Sequence, residues 1–244
     1  RYGAPAHRIE SLLEAVAGAL GCPGVFLVTP TSVLFDFRAA SGTHLVRASG
    51  GEVDLGALAE VYEVARAVAW GPLSSEEGIA ALRALEQSAQ PFQLPTRVAA
   101  SGVASAAAAC FLCSSWFEVA VAVALGVVVS AFAEATSALP ALGRAPAPVA
   151  AALAALLAAS VAANHPVSAT VLALCAVIMW MPGLSLTTAM AEMSTGHLVS
   201  GTSRLAGAGS TLLGLGLGVA LGGTIGARLF GDAVAMGPAG SLGP

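Results

Sequence analysis

The feature that most restricts the fold is a run of 47 residues, Ala145 to Ala191, that contains no arginine, lysine, aspartate or glutamate. Charge is scarce throughout residues 98–244, whereas residues 1–97 hold seven of the ten arginines and ten of the fourteen acids. Soluble domains average about 25% charged residues, and long uncharged apolar stretches are typical of membrane-spanning helices. The sequence therefore predicts a membrane protein with a polar N-terminal region and an apolar C-terminal region.

Composition excludes several other classes of protein. The chain is 57% hydrophobic, which excludes a disordered chain. All ten cationic residues are arginines, and the net charge is −4. The sequence contains no basic tract that could contact a phosphate backbone, so nucleic acid is not an expected partner. Four cysteines in 244 residues do not form a secreted disulfide framework, and we expect them to be reduced.

No catalytic or metal site is expected from the motifs. No Ser, His and Asp set is recognisable, and Cys110 and Cys113 have the spacing of a metal or redox pair without a second pair nearby. The histidines lie far apart in the sequence and do not suggest a site: they are His7, His44, His165 and His197. We therefore expect no enzyme activity, no cofactor and no metal.

Residues 1–95 have the pattern of a small α+β domain. Apolar residues recur at helical spacing over 9–20 and predict a first helix. Three β-rich runs follow, at 25–29, 32–37 and about 44–47. Asp54 is the predicted N-cap of a second helix, and Ser74 with Glu77 is the predicted capping box of a third. The predicted order is therefore α-β-β-β-α-α.

Residues 96–230 are predicted to form a transmembrane helical domain. A helix needs about 20 apolar residues to cross the hydrocarbon layer, and Val98 to Phe117 is a first uncharged run of that length. The 47-residue run is too long for one helix, and we divide it at Asn164, His165 and Pro166. The five expected spans are approximately 98–115, 118–138, 147–163, 167–190 and 203–227. Residues 231–244 are expected to be a flexible tail.

The arginines give an orientation for these spans. In this arrangement Arg97, Arg144 and Arg204 fall on the side of the N-terminal domain, and Arg228 falls on the opposite side. Positively charged residues are enriched in cytoplasmic loops. We therefore expect an integral multi-pass membrane protein whose N-terminal domain is cytoplasmic.

The fifth predicted span carries a glycine ridge, defined as Gly214, Gly218, Gly222 and Gly226. A repeat of four residues places these glycines on one helix face, where another backbone can approach closely. The pattern indicates helix packing. The neighbour could belong to the same chain or to another subunit.

A few polar or helix-breaking residues in the apolar region are the candidates for substrate binding or proton coupling. They are Glu134, Pro182, Gly183, Glu192 and Arg204. Pro182 and Gly183 would break a helix and free backbone groups, as in discontinuous transporter helices, or would simply kink it. Glu192, His197 and Arg204 cluster around the link between the fourth and fifth helices, where Arg204 could hold a carboxylate. The structural alternatives are a Glu192–Arg204 ion pair and an interfacial Glu134 paired with Arg144.

The chain resembles the N-terminal domain of the threonine/serine exporter (ThrE) family, in the branch of that family found in eukaryotes. The resemblance covers nearly the whole chain and depends on the order of several segments. These segments are Tyr2 to Glu10, Phe26 to Pro30, Phe35-Asp36, Leu45 to Arg47, Asp54 to Leu58, Met181-Pro182-Gly183, Glu192, Gly201 to Arg204 and the glycine-rich fifth helix.

This resemblance implies a cytoplasmic α+β domain followed by five membrane helices, and export of a small hydroxy amino acid or a small carboxylate. Proton coupling is our leading hypothesis. Family members usually have a second set of membrane helices, so we expect a second transmembrane half or a second copy as partner. The chain begins with Arg1 and shows no signal peptide, and we expect it to be a fragment. The alternative is a non-transporting membrane scaffold whose cytoplasmic domain binds a partner.

Overall fold

A computed structural model describes residues 3–38, 42–47, 54–87, 92–113, 115–136 and 146–231. The chain divides into two compact units. The first contains residues 1–91 and 183–208, and the second contains residues 92–182 and 209–244. The described residues are mostly helical with one small sheet, which agrees with the coarse fold that the sequence predicts. Arg144 and residues 232–244 of the expected tail lie outside the described residues.

The elements follow the chain in this order: α1 (Ala6–Ala19), β1 (Gly24–Val28), β2 (Ser32–Phe37), β3 (His44–Arg47), α2 (Leu55–Trp70), α3 (Ser75–Gln87), α4 (Leu94–Leu112), α5 (Trp116–Thr136), α6 (Pro146–Ala162), α7 (Ala169–Ala176), a 3₁₀ turn (Ile178–Trp180), α8 (Gly183–Ser194) and α9 (Leu198–Phe230). The predicted α-β-β-β-α-α order of the polar region is confirmed.

The sheet of the first unit is an antiparallel meander in the order β1-β2-β3. Phe26 pairs with Phe35 across β1 and β2, with ring centroids 6.4 Å apart, and the Phe37 ring lies 5.9 Å from Phe26 and 5.4 Å from Phe35. Alternate residues of β1 are buried, Phe26 and Val28 among them, because successive side chains of a strand point to opposite faces. The aromatic side of the sheet therefore forms part of the core of this unit.

Two helix caps in the first unit occur where the sequence predicts them. The Asp54 carboxylate accepts a hydrogen bond from the Ala57 amide at 2.9 Å and caps α2. The Glu77 carboxylate accepts hydrogen bonds from the Ser74 amide at 2.9 Å and from its hydroxyl at 2.8 Å. These bonds stabilise the charged carboxylate and lower the pKa of Glu77.

Small side chains dominate the core of the second unit. Seven alanines of α6 are buried: Ala147, Ala150, Ala151, Ala154, Ala155, Ala158 and Ala159. Between α4 and α5 the buried Ser101 hydroxyl donates to the Gly126 carbonyl at 3.3 Å, and a methyl group at Gly126 would collide with Ser105. Helices associate in lipid through close packing of small residues, and this core has that composition.

Within the described residues, α5 and α9 are long and apolar enough to cross a membrane. A third candidate span consists of α7 together with the helical segment that follows it, if that pair, bent by 54°, is counted as one span. The segment 167–190 is therefore not one straight helix. The 54° bend lies between Ala176 and Ile178, and α8 begins separately at Gly183, after the break that the sequence predicts at Pro182. The 17-residue α6 is apolar but shorter.

Candidate functional site

The centre of the candidate site is the carboxylate of Glu192, which is 0% exposed near the C-terminal end of α8. Its Oε1 atom accepts a hydrogen bond from the Ala6 amide at 2.8 Å and one from Nε of Arg204 at 3.2 Å. Its Oε2 atom lies 3.1 Å from the same Nε but has no hydrogen bond of good geometry. One oxygen of this buried acid therefore retains unused acceptor capacity.

Arg204 is the counter-ion of this carboxylate, and its side chain is 22% exposed. Its Nη2 atom donates to the Ala4 carbonyl at 2.8 Å. Gly201 allows the close approach of α8 and α9, because a Cβ atom there would lie 2.9 Å from the Ala189 carbonyl oxygen. The pair between Glu192 and Arg204 thus forms across two helices that pack with little space between their backbones.

A second pair joins α1 to the link between α8 and α9. Nε2 of His197 lies 2.9 Å from Oε2 of Glu10, whose Oε1 accepts a hydrogen bond from the Val28 amide at 2.8 Å. Nδ1 of the same ring lies 3.3 Å from the hydroxyl of Thr195, which donates its own proton to main-chain carbonyls of α8. Both ring nitrogens therefore lie within hydrogen-bond distance of a side-chain oxygen.

Sequence reasoning missed Glu10 and His7, which both lie beside His197. Glu10 lies 187 residues from its partner His197, and no local pattern relates them. His7 and His197 lie 190 residues apart in the sequence, but their ring centroids are 5.7 Å apart. Within the described chain, no group of three or more His, Cys, Asp or Glu residues could hold a metal ion.

Glu134 lies outside this cluster, on α5 of the second unit. Its Oε1 atom forms an ion pair with Nη2 of Arg97 at 2.7 Å, and the two side chains are 25% and 37% exposed. The alternative partner Arg144 lies outside the described residues. Partly exposed ion pairs of this kind typically contribute less than about 1 kcal/mol to the free energy of unfolding, so this pair adds little to stability.

Pro182 and Gly183 interrupt the helix rather than contribute to the cluster. Gly183 begins α8 and lies nine residues before Glu192, or roughly 14 Å at 1.5 Å per residue. A Cβ atom at Gly183 would meet no neighbour within 4 Å. Steric crowding therefore does not require a glycine at this position.

The glycine ridge of α9 packs against α6 of the same chain. A methyl group at Gly218 would collide with the Pro148 carbonyl oxygen, and one at Gly222 would collide with the Ala152 carbonyl oxygen. Gly226 faces the Ala159 methyl group. The sequence did not decide whether the glycine ridge packs within the chain or against another subunit. In this structure it packs within the chain.

Comparison with known proteins shows the family of this chain. The family model described as "Putative threonine/serine exporter" (ThrE) matches residues 1–226. The chain belongs to the ThrE family. A curated relative, the uncharacterized protein C7D4.12c of Schizosaccharomyces pombe, is 33% identical over 109 residues, which is 43% of this chain and 14% of the relative. The chain thus spans about a seventh of that relative's length, and no solved structure matches it significantly.

Membership of the ThrE family confirms the resemblance seen in the sequence and has two consequences for the site. The family is one of transporters, so the chain is grouped with transport proteins rather than with enzymes. The matched range also includes both pairs, Glu192 with Arg204 and Glu10 with His197. The cluster therefore lies within the part of the chain that the family model describes.

Proposed function

We propose that this ThrE-family chain is part of a proton-coupled, multi-pass transporter that exports a small hydroxy amino acid. In this proposal residues 1–95 are a cytoplasmic domain and residues 96–230 cross the membrane five times, with a second transmembrane half or a second copy completing the carrier. The family match supports the substrate class, and the apolar helices α5 and α9 support membrane insertion.

The observation that carries the proposal is the Glu192–Arg204 pair with its unused acceptor on Oε2. An α-amino acid is a zwitterion whose two charged groups complement this pair. If it enters between them, its carboxylate binds the Arg204 guanidinium and its ammonium binds the Glu192 carboxylate. Both charges of the pair then stay compensated during binding, which avoids the cost of leaving the buried Glu192 carboxylate without a partner.

Proton coupling follows from competition for Glu192. A protonated carboxyl group no longer attracts an ammonium group, so a proton and the substrate exclude each other at this residue. Such exclusion is the property that a proton/substrate exchanger requires. Pro182 and Gly183 are proposed to supply the helix break that lets α8 move during exchange, as in carriers with discontinuous helices. Glu134 is the second candidate for proton exchange.

The same argument distinguishes substrate classes. A dicarboxylate such as succinate offers no ammonium for Glu192, and its second negative charge would lie near a buried acid. Like charges at close range are disfavoured in a site of low dielectric. We therefore propose threonine and serine as substrates in preference to a small dicarboxylate.

Arg204→Gln is expected to reduce efflux of labelled threonine from vesicles containing the full-length protein at least tenfold, because the substrate carboxylate loses its charged partner. Arg204→Lys is expected to retain part of the activity. Arg228→Gln is the matched control, since Arg228 lies exposed in the last turn of the same helix. Wild-type efflux rates for Arg204→Gln, at equal abundance in the membrane, would refute the role proposed for this guanidinium.

A further inference from the structure

The second unit contains a cavity of about 430 Å³ between α6, α7 and α9. Its walls are built mainly from small residues, among them Ala159, Ala173 and Gly223. Binding sites for small molecules commonly measure about 300–1,000 Å³, so this space is at the lower end of that range. It is separate from the Glu192–Arg204 pair, which belongs to the first unit.

The chemistry of the cavity wall is distinctive. None of its lining residues is charged, and its polar side chains are the hydroxyls of Thr170 and Thr224. Oγ1 of Thr224 donates its proton to the Ala220 carbonyl at 2.7 Å. The lone pairs of the Thr224 Oγ1 atom therefore remain available to accept a hydrogen bond from a bound molecule.

We propose that this cavity binds the hydroxyl-bearing side chain of a small solute and distinguishes it from an apolar isostere. The small walls limit the size of the solute, and Thr224 accepts a hydrogen bond from its hydroxyl group. The charged groups of the solute stay at the open side, away from the uncharged walls. This inference rests on the proposed function, because it makes the cavity a second binding position on the transport route.

Threonine and valine provide the probe, because they have nearly the same shape and differ in one hydroxyl group. Wild-type protein is expected to export threonine at least five times faster than valine, and Thr224→Val is expected to remove most of that preference. Thr202→Val is the matched control. Thr202 lies on the same helix and makes the same bond to the carbonyl four residues earlier, at 2.6 Å, but it does not line the cavity.

Filling the cavity provides a second variant. A side chain at Gly223 meets no atom within 4 Å at its Cβ position, so Gly223→Leu is expected to fold while its side chain occupies the cavity. Gly216→Leu is the control, because Gly216 is equally open but lies outside the cavity wall. Gly223→Leu is expected to reduce threonine efflux at least fivefold, and Gly216→Leu is expected to leave it near the wild-type rate.

A binding measurement separates the two proposals. Threonine is expected to raise the melting temperature of the purified full-length protein more than valine does, and Thr224→Val is expected to abolish the difference. A Thr224-dependent difference without any efflux would support the cavity and refute transport. If the protein exports threonine, and Thr224→Val and Thr202→Val change the preference for threonine over valine equally in both assays, the binding role of the cavity is refuted. The proposed transport function would then remain supported. A cavity filled by lipid or by a helix predicts that second result.

Discussion

Glu192→Ala is expected to destabilise the first unit by about 3 kcal/mol. Removing one member of a buried ion pair typically costs about 3–5 kcal/mol, because the other charge stays buried without a partner. The lower end applies because Arg204 is 22% exposed and can recruit water. The substitution also removes the acceptor of the Ala6 amide, which lies at the N-terminus of α1.

Thermal unfolding of the purified full-length protein in detergent measures this effect. Glu60→Ala is the control, because it removes a carboxylate from an exposed position on α2 of the same unit. The melting temperature is expected to fall by several degrees for Glu192→Ala and to change little for Glu60→Ala. Equal changes in both variants would contradict the structural part of the account.

Gly222→Ala is expected to destabilise the second unit, although alanine forms helices better than glycine does. A methyl group at Gly222 would collide with the Ala152 carbonyl oxygen, and backbone cannot move aside as a side chain can. Overpacking of this kind costs about 1–3 kcal/mol, which exceeds the gain in helix propensity of about 1 kcal/mol.

Gly216→Ala tests the explanation on the same helix. A Cβ atom at Gly216 meets nothing within 4 Å, so only the propensity gain remains and the melting temperature is expected to stay equal or rise slightly. The melting temperature is therefore expected to fall for Gly222→Ala but not for Gly216→Ala. A rise in melting temperature for Gly222→Ala would show that the glycine ridge does not pack against α6.

Much of the N-terminal fold could be predicted from the sequence because it depends on local signals. Asp54 caps α2 through a bond to the amide three residues later, and the same spacing joins Ser74 to Glu77. Such caps are encoded within one turn of helix. The same pattern at Ser115 and Glu118, which begins α5, could have been found by the same reasoning.

The apolar helices could be predicted in kind but less well in extent. The fifth expected span, 203–227, lies within α9, which is longer because it begins at Leu198, two residues after Gly196. Gly196 has a φ of +85° and ends the preceding helical segment, a signal that glycine often provides at a helix C-terminus. A hydropathy window does not register that boundary.

The long-range partners could not be predicted from one sequence. Glu192 and Arg204 lie close in the chain, and their proximity was readable from the helix link. The contacts of that pair with Ala4 and Ala6, and the contact of His197 with Glu10, depend on how α1 packs within the first unit. Hydrophobic periodicity identifies the buried face of α1 but does not identify the residues that pack against that face.

The central claim is that a proton and the substrate compete for Glu192, and the most direct test compares the effect of a pH gradient on wild-type protein and on Glu192→Gln. Vesicles containing each full-length protein would be loaded with labelled threonine, and efflux would be measured with the exterior at the interior pH or more acidic. The account predicts that external acid accelerates wild-type efflux several-fold, and that Glu192→Gln, which cannot take up the proton, exports at a rate independent of the gradient. Wild-type efflux that ignores the gradient, or a Glu192→Gln variant with the full acceleration, would contradict it.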